Sequence, residues 1–231
     1  MKKQYITIEG IPAMVWGSGT GRLFVAVHGD QSHKEDTVIA LFAEAAMDKG
    51  HRVLSLDLPR HGSRKEEPRL CNAQNSVADL QRAMGYARNI AEDIGVFGCS
   101  MGAYFSMLAY REAPICQALF LSPVVDMKQL IHHMMAWFGV SEERLRLEGT
   151  VQTPAQTLEW DDYQYVLSHP VVWDKPTAVL YGGKDSLCSR EGVQGFAERS
   201  HGDLTVWEDG EHHFHTAEQL AVFRLWLQKN I

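Results

Sequence analysis

Four runs in this chain are apolar almost without interruption: LFVAV at 23–27, IGVFG at 94–98, ALFL at 118–121 and TAVLYG at 177–182. A strand with one wet face alternates polar and apolar residues, whereas a strand apolar on both faces has both of them covered. Between these runs the period changes. Val38, Leu41, Phe42, Ala45 and Ala46 recur at helical spacing, and Gly50 stands where that helix would stop. A second helix is predicted from Ser76, its cap, to about Glu92, with Val77, Leu80, Met84 and Ala87 along one face. AYFSMLAYREA and REGVQGFAERS read as further helices, and Leu220, Phe223 and Leu227 give a closing helix its inward face. HRVLSLDLP and DLTVWEDG are two more strands, and YITIEG with IPAMVWG form an opening hairpin. Strands alternating with helices in this way mean βαβ units and a mostly parallel sheet.

One interval breaks the alternation. Residues from about 126 to 173 hold the helix-like KQLIHHMMAWFG and DDYQYVLSH and no convincing strand, and an insertion of that length between sheet strands is predicted to be a lid or binding element. The 231 residues, 45% of them apolar, suit one α/β domain that buries its own core. A net charge of −7 without any long basic run argues against a nucleic-acid partner. No apolar stretch approaches the roughly 18 residues of a bilayer span, and the N-terminal MKKQYITIEG runs into a strand pattern instead of a secretory signal. Cys71, Cys99, Cys116 and Cys188 have no C-x-x-C spacing and read as reduced thiols of a cytoplasmic protein. His212, His213 and His215 form H-H-x-H without a Cys, Asp or Glu at a recognisable ligand spacing, so neither metal nor cofactor is expected.

Gly98-Cys99-Ser100-Met101-Gly102 fits G-x-S-x-G, with a buried strand before it and a helix after it. A strand-to-helix turn that tight forces the serine into a strained conformation and leaves no room for side chains two positions away, a strain of about 1–3 kcal/mol. Cys99 lies one position before the turn residue and reads as a packed thiol. A serine hydroxyl needs a base to take its proton, and the base needs a third group to hold it. AVLYGGKDSLC offers Asp185 at the end of one strand, and VWEDGEHHFH offers His212 at the end of the next. Asp126 also follows a strand and is the rival acid, whereas Asp161, Asp162 and Asp209 read as surface residues.

The HG of VAVHGD, DLPRHGS, GCSMG, GGKDSL and EHHFH occur in an order that resembles the α/β-hydrolase superfamily over nearly the whole chain. That resemblance implies an eight-stranded, mostly parallel sheet flanked by helices, with the 126–173 insertion as a helical cap. It implies Ser100 as nucleophile, His212 as general base and later acid, and Asp185 as the orienting carboxylate. His213 remains the alternative base, because relatives carry a Glu-His-aromatic-Phe-His pattern that Glu211-His212-His213-Phe214-His215 matches only in part. The oxyanion donors would be the N–H of Met101 and that of Asp30, or else of Gln31. An aspartate is a departure here, since relatives often carry an apolar residue or glycine, and its carboxylate would oppose an oxyanion unless it points away. His28, Gly29, Arg60, His61 and Gly62 read as turn and packing residues. The implied reaction is hydrolysis of a small-molecule carboxylic ester through an acyl-enzyme. An aminopeptidase or amidase, a thioesterase or acyl transferase, and a non-catalytic binding protein are the alternatives. Met127, Met134, Met135, Trp137 and Phe138 either line an acyl pocket or anchor the cap on the core.

Overall fold

In the computed structural model, which describes residues 2–231, the chain enters its sheet through β1 (Lys3–Ile8) and β2 (Ile11–Trp16). They pair antiparallel from Lys3 opposite Trp16 to Ile8 opposite Ile11, around Glu9 and Gly10, which both take positive φ as a tight hairpin turn requires. There follow β3 (Leu23–Val27), α1 (Thr37–Asp48), β4 (Arg52–Leu56), α2 (Ala73–Ile90), β5 (Ile94–Cys99), α3 (Met101–Ala109) and β6 (Gln117–Leu121). The insertion carries α4 (Met127–Trp137), α5 (Glu142–Glu148), β7 (Thr150–Gln152), β8 (Thr157–Glu159) and α6 (Trp160–Ser168). The chain then returns to the sheet with β9 (Thr177–Gly182), α7 (Arg190–Arg199), β10 (Asp203–Trp207) and α8 (Ala217–Asn230).

The eight-stranded sheet runs β1-β2-β4-β3-β5-β6-β9-β10. β1 pairs antiparallel with β2 and β2 with β4, and every later pair is parallel. Because β3 lies between β4 and β5, the chain leaves β3 toward one edge of the sheet and leaves β5 toward the other. Loops that diverge in this way open a crevice at the carboxyl ends of the two strands, where α/β sheets bind ligands.

Apolar side chains fill both faces. One layer holds α1 and α8: Phe42 stacks on Phe97 of β5 with ring centroids 4.2 Å apart, Phe24 meets Phe42 edge-on at 5.3 Å, and Phe223 and Leu227 close over them. The other layer holds α2, α3 and α7, with Leu80, Met84, Met107 and Phe196 buried against Val25, Val96 and Phe120. Among the described residues, no helix is long and apolar enough to cross a membrane.

Two local expectations need correction. Helix α2 begins at Ala73, before Ser76, because Asn72 caps it: the Asn72 side chain accepts the N–H of Asn75, and Ser76 is buried inside the helix. The insertion is not purely helical, since β7 and β8 form an antiparallel pair from Thr150 opposite Glu159 to Gln152 opposite Thr157. Only Val151 and Leu158 of that pair are buried, so each strand shows a single apolar residue to a sequence reader.

The Phe42–Phe97 stack predicts a large cost for truncation. Phe97→Ala leaves a ring-sized void at a fully buried position, and urea denaturation should show a loss of about 3–5 kcal/mol.

Candidate functional site

Three loops meet at the carboxyl edge of the sheet. Ser100 follows β5 with φ 52° and ψ −122°, a left-handed conformation that costs a residue with a Cβ strain energy. Its neighbours make the turn possible. A Cβ on Gly102 would lie 2.3 Å from the His28 carbonyl oxygen and 2.5 Å from that of Val27, and one on Gly98 would lie 2.6 Å from Ala103 Cα. Helix α3 therefore starts directly against the end of β3. Ser100 itself is tied to the next strand by its N–H on Leu121 O, 3.0 Å. Cys99 is turned into the core, where burial pushes its thiol pKa up.

Ser100 Oγ is 2.8 Å from His212 Nε2, and His212 Nδ1 is 2.7 Å from Asp185 Oδ2. A carboxylate only accepts, so Nδ1 carries the hydrogen and Nε2 of the neutral ring is free to accept from Ser100. The Asp185 side chain is fully buried, and its other oxygen accepts the N–H groups of Leu187 (2.8 Å) and Cys188 (3.0 Å). The two loops that carry Asp185 and His212 pack main chain on main chain: a Cβ on Gly182 would lie 2.4 Å from the Glu211 carbonyl oxygen. Buried Phe214, beside Trp207, anchors the histidine loop below, and a capping box between Thr216 and Gln219 opens α8 just after it.

The alternatives lie elsewhere. Asp126 caps α4 by accepting the Gln129 N–H at 2.9 Å, and His213 is exposed, with its ring 5.3 Å from that of His215.

The loop after β3 is braced from three sides. His28 is buried, accepts the Leu58 N–H on Nε2 (3.1 Å) and donates from Nδ1 to Gly29 O (2.7 Å). Burial holds its pKa down at about 4, so the ring is neutral. Lys34 Nζ meets Asp57 Oδ2 at 2.7 Å, and Asp57 also accepts the N–H groups of Lys34 and Ser63. Asp30 is turned to His61, with Oδ1 3.2 Å from Nε2. At the start of α3, the Met101 N–H has no partner within its own helix, as at any helix N-terminus.

A cavity of about 660 Å³ opens beside Met101. Asp30 and Gln31, Arg60, His61 and Lys65, and Thr157, Glu159 and Asp162 of the insertion wall it together with Leu70 and Cys71, so about half of its surface is polar. The insertion is latched over it at the start of α2, where Asn72 Nδ2 donates to Glu159 Oε2 (2.7 Å) and the Ala73 N–H to Asp162 Oδ1 (2.8 Å). Asp162 is thus not a surface residue, and burial raises its pKa to about 6. Asp161 is exposed, and Asp209 pairs at the surface with Lys184. Met127, Met134 and Met135 are buried in the core, Phe138 packs against it and Trp137 faces outward. None of the five lines this cavity. Neither Ser100 nor His212 itself lines this cavity, which reaches the turn through Met101; a larger cleft of about 820 Å³ near Arg64 and Arg82 has no lining residue from that turn.

A sequence model described as the alpha/beta hydrolase family matches residues 24–225. The chain belongs to that family. Among solved structures the hydrolase resembles Est1E from Butyrivibrio proteoclasticus with ferulic acid bound: TM-score 0.79 and 19% identity over 98% of this chain and 96% of that one. It also resembles the esterase Pf2001 from Pyrococcus furiosus, with TM-score 0.69 and 22% identity over 99% and 89% of the two chains. A third is mouse alpha/beta hydrolase domain-containing protein 10, with TM-score 0.78 and 13% identity over 99% and 98%. Identities this low speak for the fold alone. No curated protein sequence matches the hydrolase significantly.

Among the described residues, one group of three potential metal ligands comes together, Asp185, Cys188 and His212, with ligand atoms within 4.8 Å of one another. Asp185 and His212 are already bonded to each other, and burial pushes the Cys188 thiol up to about 12, which disfavours the thiolate a metal would need.

His28 gives the hydrolase an acid-sensitive brace. Unfolded, it takes a proton near its ordinary 6.5, but folded only near 4, so between those values the unfolded chain binds the extra proton. That contribution to stability is present above pH 6.5 and is lost as the pH falls toward 4. The urea midpoint should drop across this window, and the drop should be shallower in His28→Gln.

Proposed function

We propose that the protein is a serine hydrolase that cleaves a carboxylic ester through an acyl-enzyme. The observation that carries this reading is the pair of hydrogen bonds, 2.8 and 2.7 Å, joining Ser100 to Asp185 through His212. Ser100 Oγ attacks the ester carbonyl while its proton passes to His212 Nε2, and Asp185 stays ionised and holds the resulting imidazolium in place. The carbonyl oxygen, now an oxyanion, meets the N–H groups of Met101 and Asp30. As the tetrahedral centre collapses, His212 gives its proton to the departing alcohol. Water then enters, His212 takes its proton, and the acid leaves Ser100.

The insertion acts as a cap, and the cavity beneath it gives the substrate preference. Its walls of Asp30, Gln31, His61, Thr157 and Glu159 suit a short or polar acyl or alcohol group better than a long alkyl chain. A second reading, as an amidase or aminopeptidase, is favoured by Glu159 and Asp162. They bring two carboxylates to the cavity, and among the described residues neither has an ion-pair partner, so an ammonium-bearing substrate would match them. The scattered spacing of the four cysteines supports a cytoplasmic location.

A fluorophosphonate should label the wild-type protein and not Ser100→Ala; labelling that persists in the mutant rejects the nucleophile. Hydrolysis of p-nitrophenyl acetate should fall by on the order of 10⁴-fold or more in Ser100→Ala and His212→Ala, and by on the order of 10⁴-fold in Asp185→Asn. His213→Ala should keep its rate. Across p-nitrophenyl esters kcat/KM should decline with acyl length, and a better rate on aminoacyl anilides would select the second reading.

A further inference from the structure

The loop after β3 carries a carboxylate beside the point where negative charge develops in acyl transfer. The approach is close, since a Cβ on Gly29, next to Asp30, would lie 3.3 Å from Ser100 Cβ. Asp30 and Met101 also wall the same cavity. A bare carboxylate there opposes the oxyanion that a donor would favour.

His61 is the counterweight. Its Nδ1 is 2.8 Å from the Pro59 carbonyl oxygen and its Nε2 3.2 Å from Asp30 Oδ1. Both partners can only accept, so both ring nitrogens carry hydrogen and the ring is an imidazolium. Its side chain is 9% exposed while that of Asp30 is 46% exposed, so the fixed member of the pair is the histidine. The other groups facing the ring are few. The His28 ring lies 5.2 Å away but is neutral, because the Leu58 N–H occupies its Nε2. Cys71, Arg60 and Lys65 stand further round the cavity wall. Burial works against the charge, yet Asp30, Cys71 and the Pro59 carbonyl together push the His61 pKa up to about 10. For its part, the hydrogen bond from His61 lowers the Asp30 pKa.

We propose that His61 is a positioning residue of this hydrolase: as a fixed imidazolium it cancels the charge of Asp30 and holds that carboxylate away from the anion site, leaving the Asp30 N–H to meet the oxyanion. The proposal rests on the serine-hydrolase reading above. It also accounts for an aspartate at a position where a negative charge would otherwise slow the reaction.

The test is a charge-reversion pair on p-nitrophenyl acetate. His61→Gln should lower kcat roughly 10- to 100-fold, less than the roughly 10²–10³ of losing an oxyanion donor outright, with KM changed less than about threefold. Adding Asp30→Asn to His61→Gln removes the stranded charge and should recover most of kcat, which no merely structural role of His61 predicts. A wild-type kcat in His61→Gln, or a double variant no faster than the single one, overturns the proposal. If His61→Gln does not fold, the double variant is compared with wild type directly: a rate within a few-fold supports the proposal and an inactive folded protein overturns it. Fluorophosphonate labelling separates the two levels. Wild-type protein that is not labelled at Ser100 removes the hydrolase reading and this inference with it, whereas normal labelling with an unaffected His61→Gln removes the inference alone.

Discussion

The main-chain contact between the start of α3 and the end of β3 is the constraint on which the site depends. With the Val27 and His28 carbonyl oxygens 2.5 and 2.3 Å from where a Gly102 side chain would begin, the helix can approach only because that side chain is missing. The approach forces Ser100 into its left-handed conformation and sets the first N–H groups of α3 opposite the loop after β3. The same device recurs two strands away, where Gly182 packs on the Glu211 carbonyl and draws the Asp185 loop against the His212 loop. Strained Ser100, Asp185 and His212 are thus held by backbone packing, which is stiffer than contacts between flexible side chains.

What surrounds that frame is held by polar latches of a different kind. The insertion reaches the cavity through Glu159 and Asp162 at the start of α6, which dock at the start of α2, Glu159 on the Asn72 side-chain amide and Asp162 on the Ala73 N–H, where the helix N-terminus favours a carboxylate. Its apolar side, with Met127, Met134 and Met135, is spent on the core. The two sides of the insertion therefore have opposite characters: the surface that anchors it is apolar, and the residues it shows to the cavity are polar.

The sheet and the turn at Ser100 were legible because each is written locally, in apolar runs and the glycines at their ends, and Asp185 and His212 stand out as polar residues a few positions beyond the ends of two such strands. The choice between His212 and His213 was not, since adjacent residues on one loop differ only in where the backbone aims them. The short pair β7 and β8 was invisible because three-residue strands with one buried side chain each leave no period to detect. Asp162 was misread as a surface residue because its partner, the Ala73 N–H, is 89 residues away and carries no side-chain signal. Whether the methionines of the insertion line a pocket or anchor it on the core was left open for a similar reason: apolar residues on a helix do not say whether they face a ligand or a neighbouring core.

The two histidines of the neighbouring loops show how little of a site's electrostatics residue type decides. His28 and His61 have ring centroids 5.2 Å apart and both are buried, which by itself would leave both neutral. His28 receives a main-chain N–H at Nε2 and is neutral; His61 faces a carboxylate there and is charged. The difference lies in what each ring meets after the chain has folded, one a donor and the other an acceptor. A neutral brace suits His28, whose task is to tie β3's loop to β4's without adding charge next to Ser100. A charged one suits His61 in the role proposed for it, because the aspartate it faces would bring to an oxyanion site the one charge that acyl transfer least tolerates.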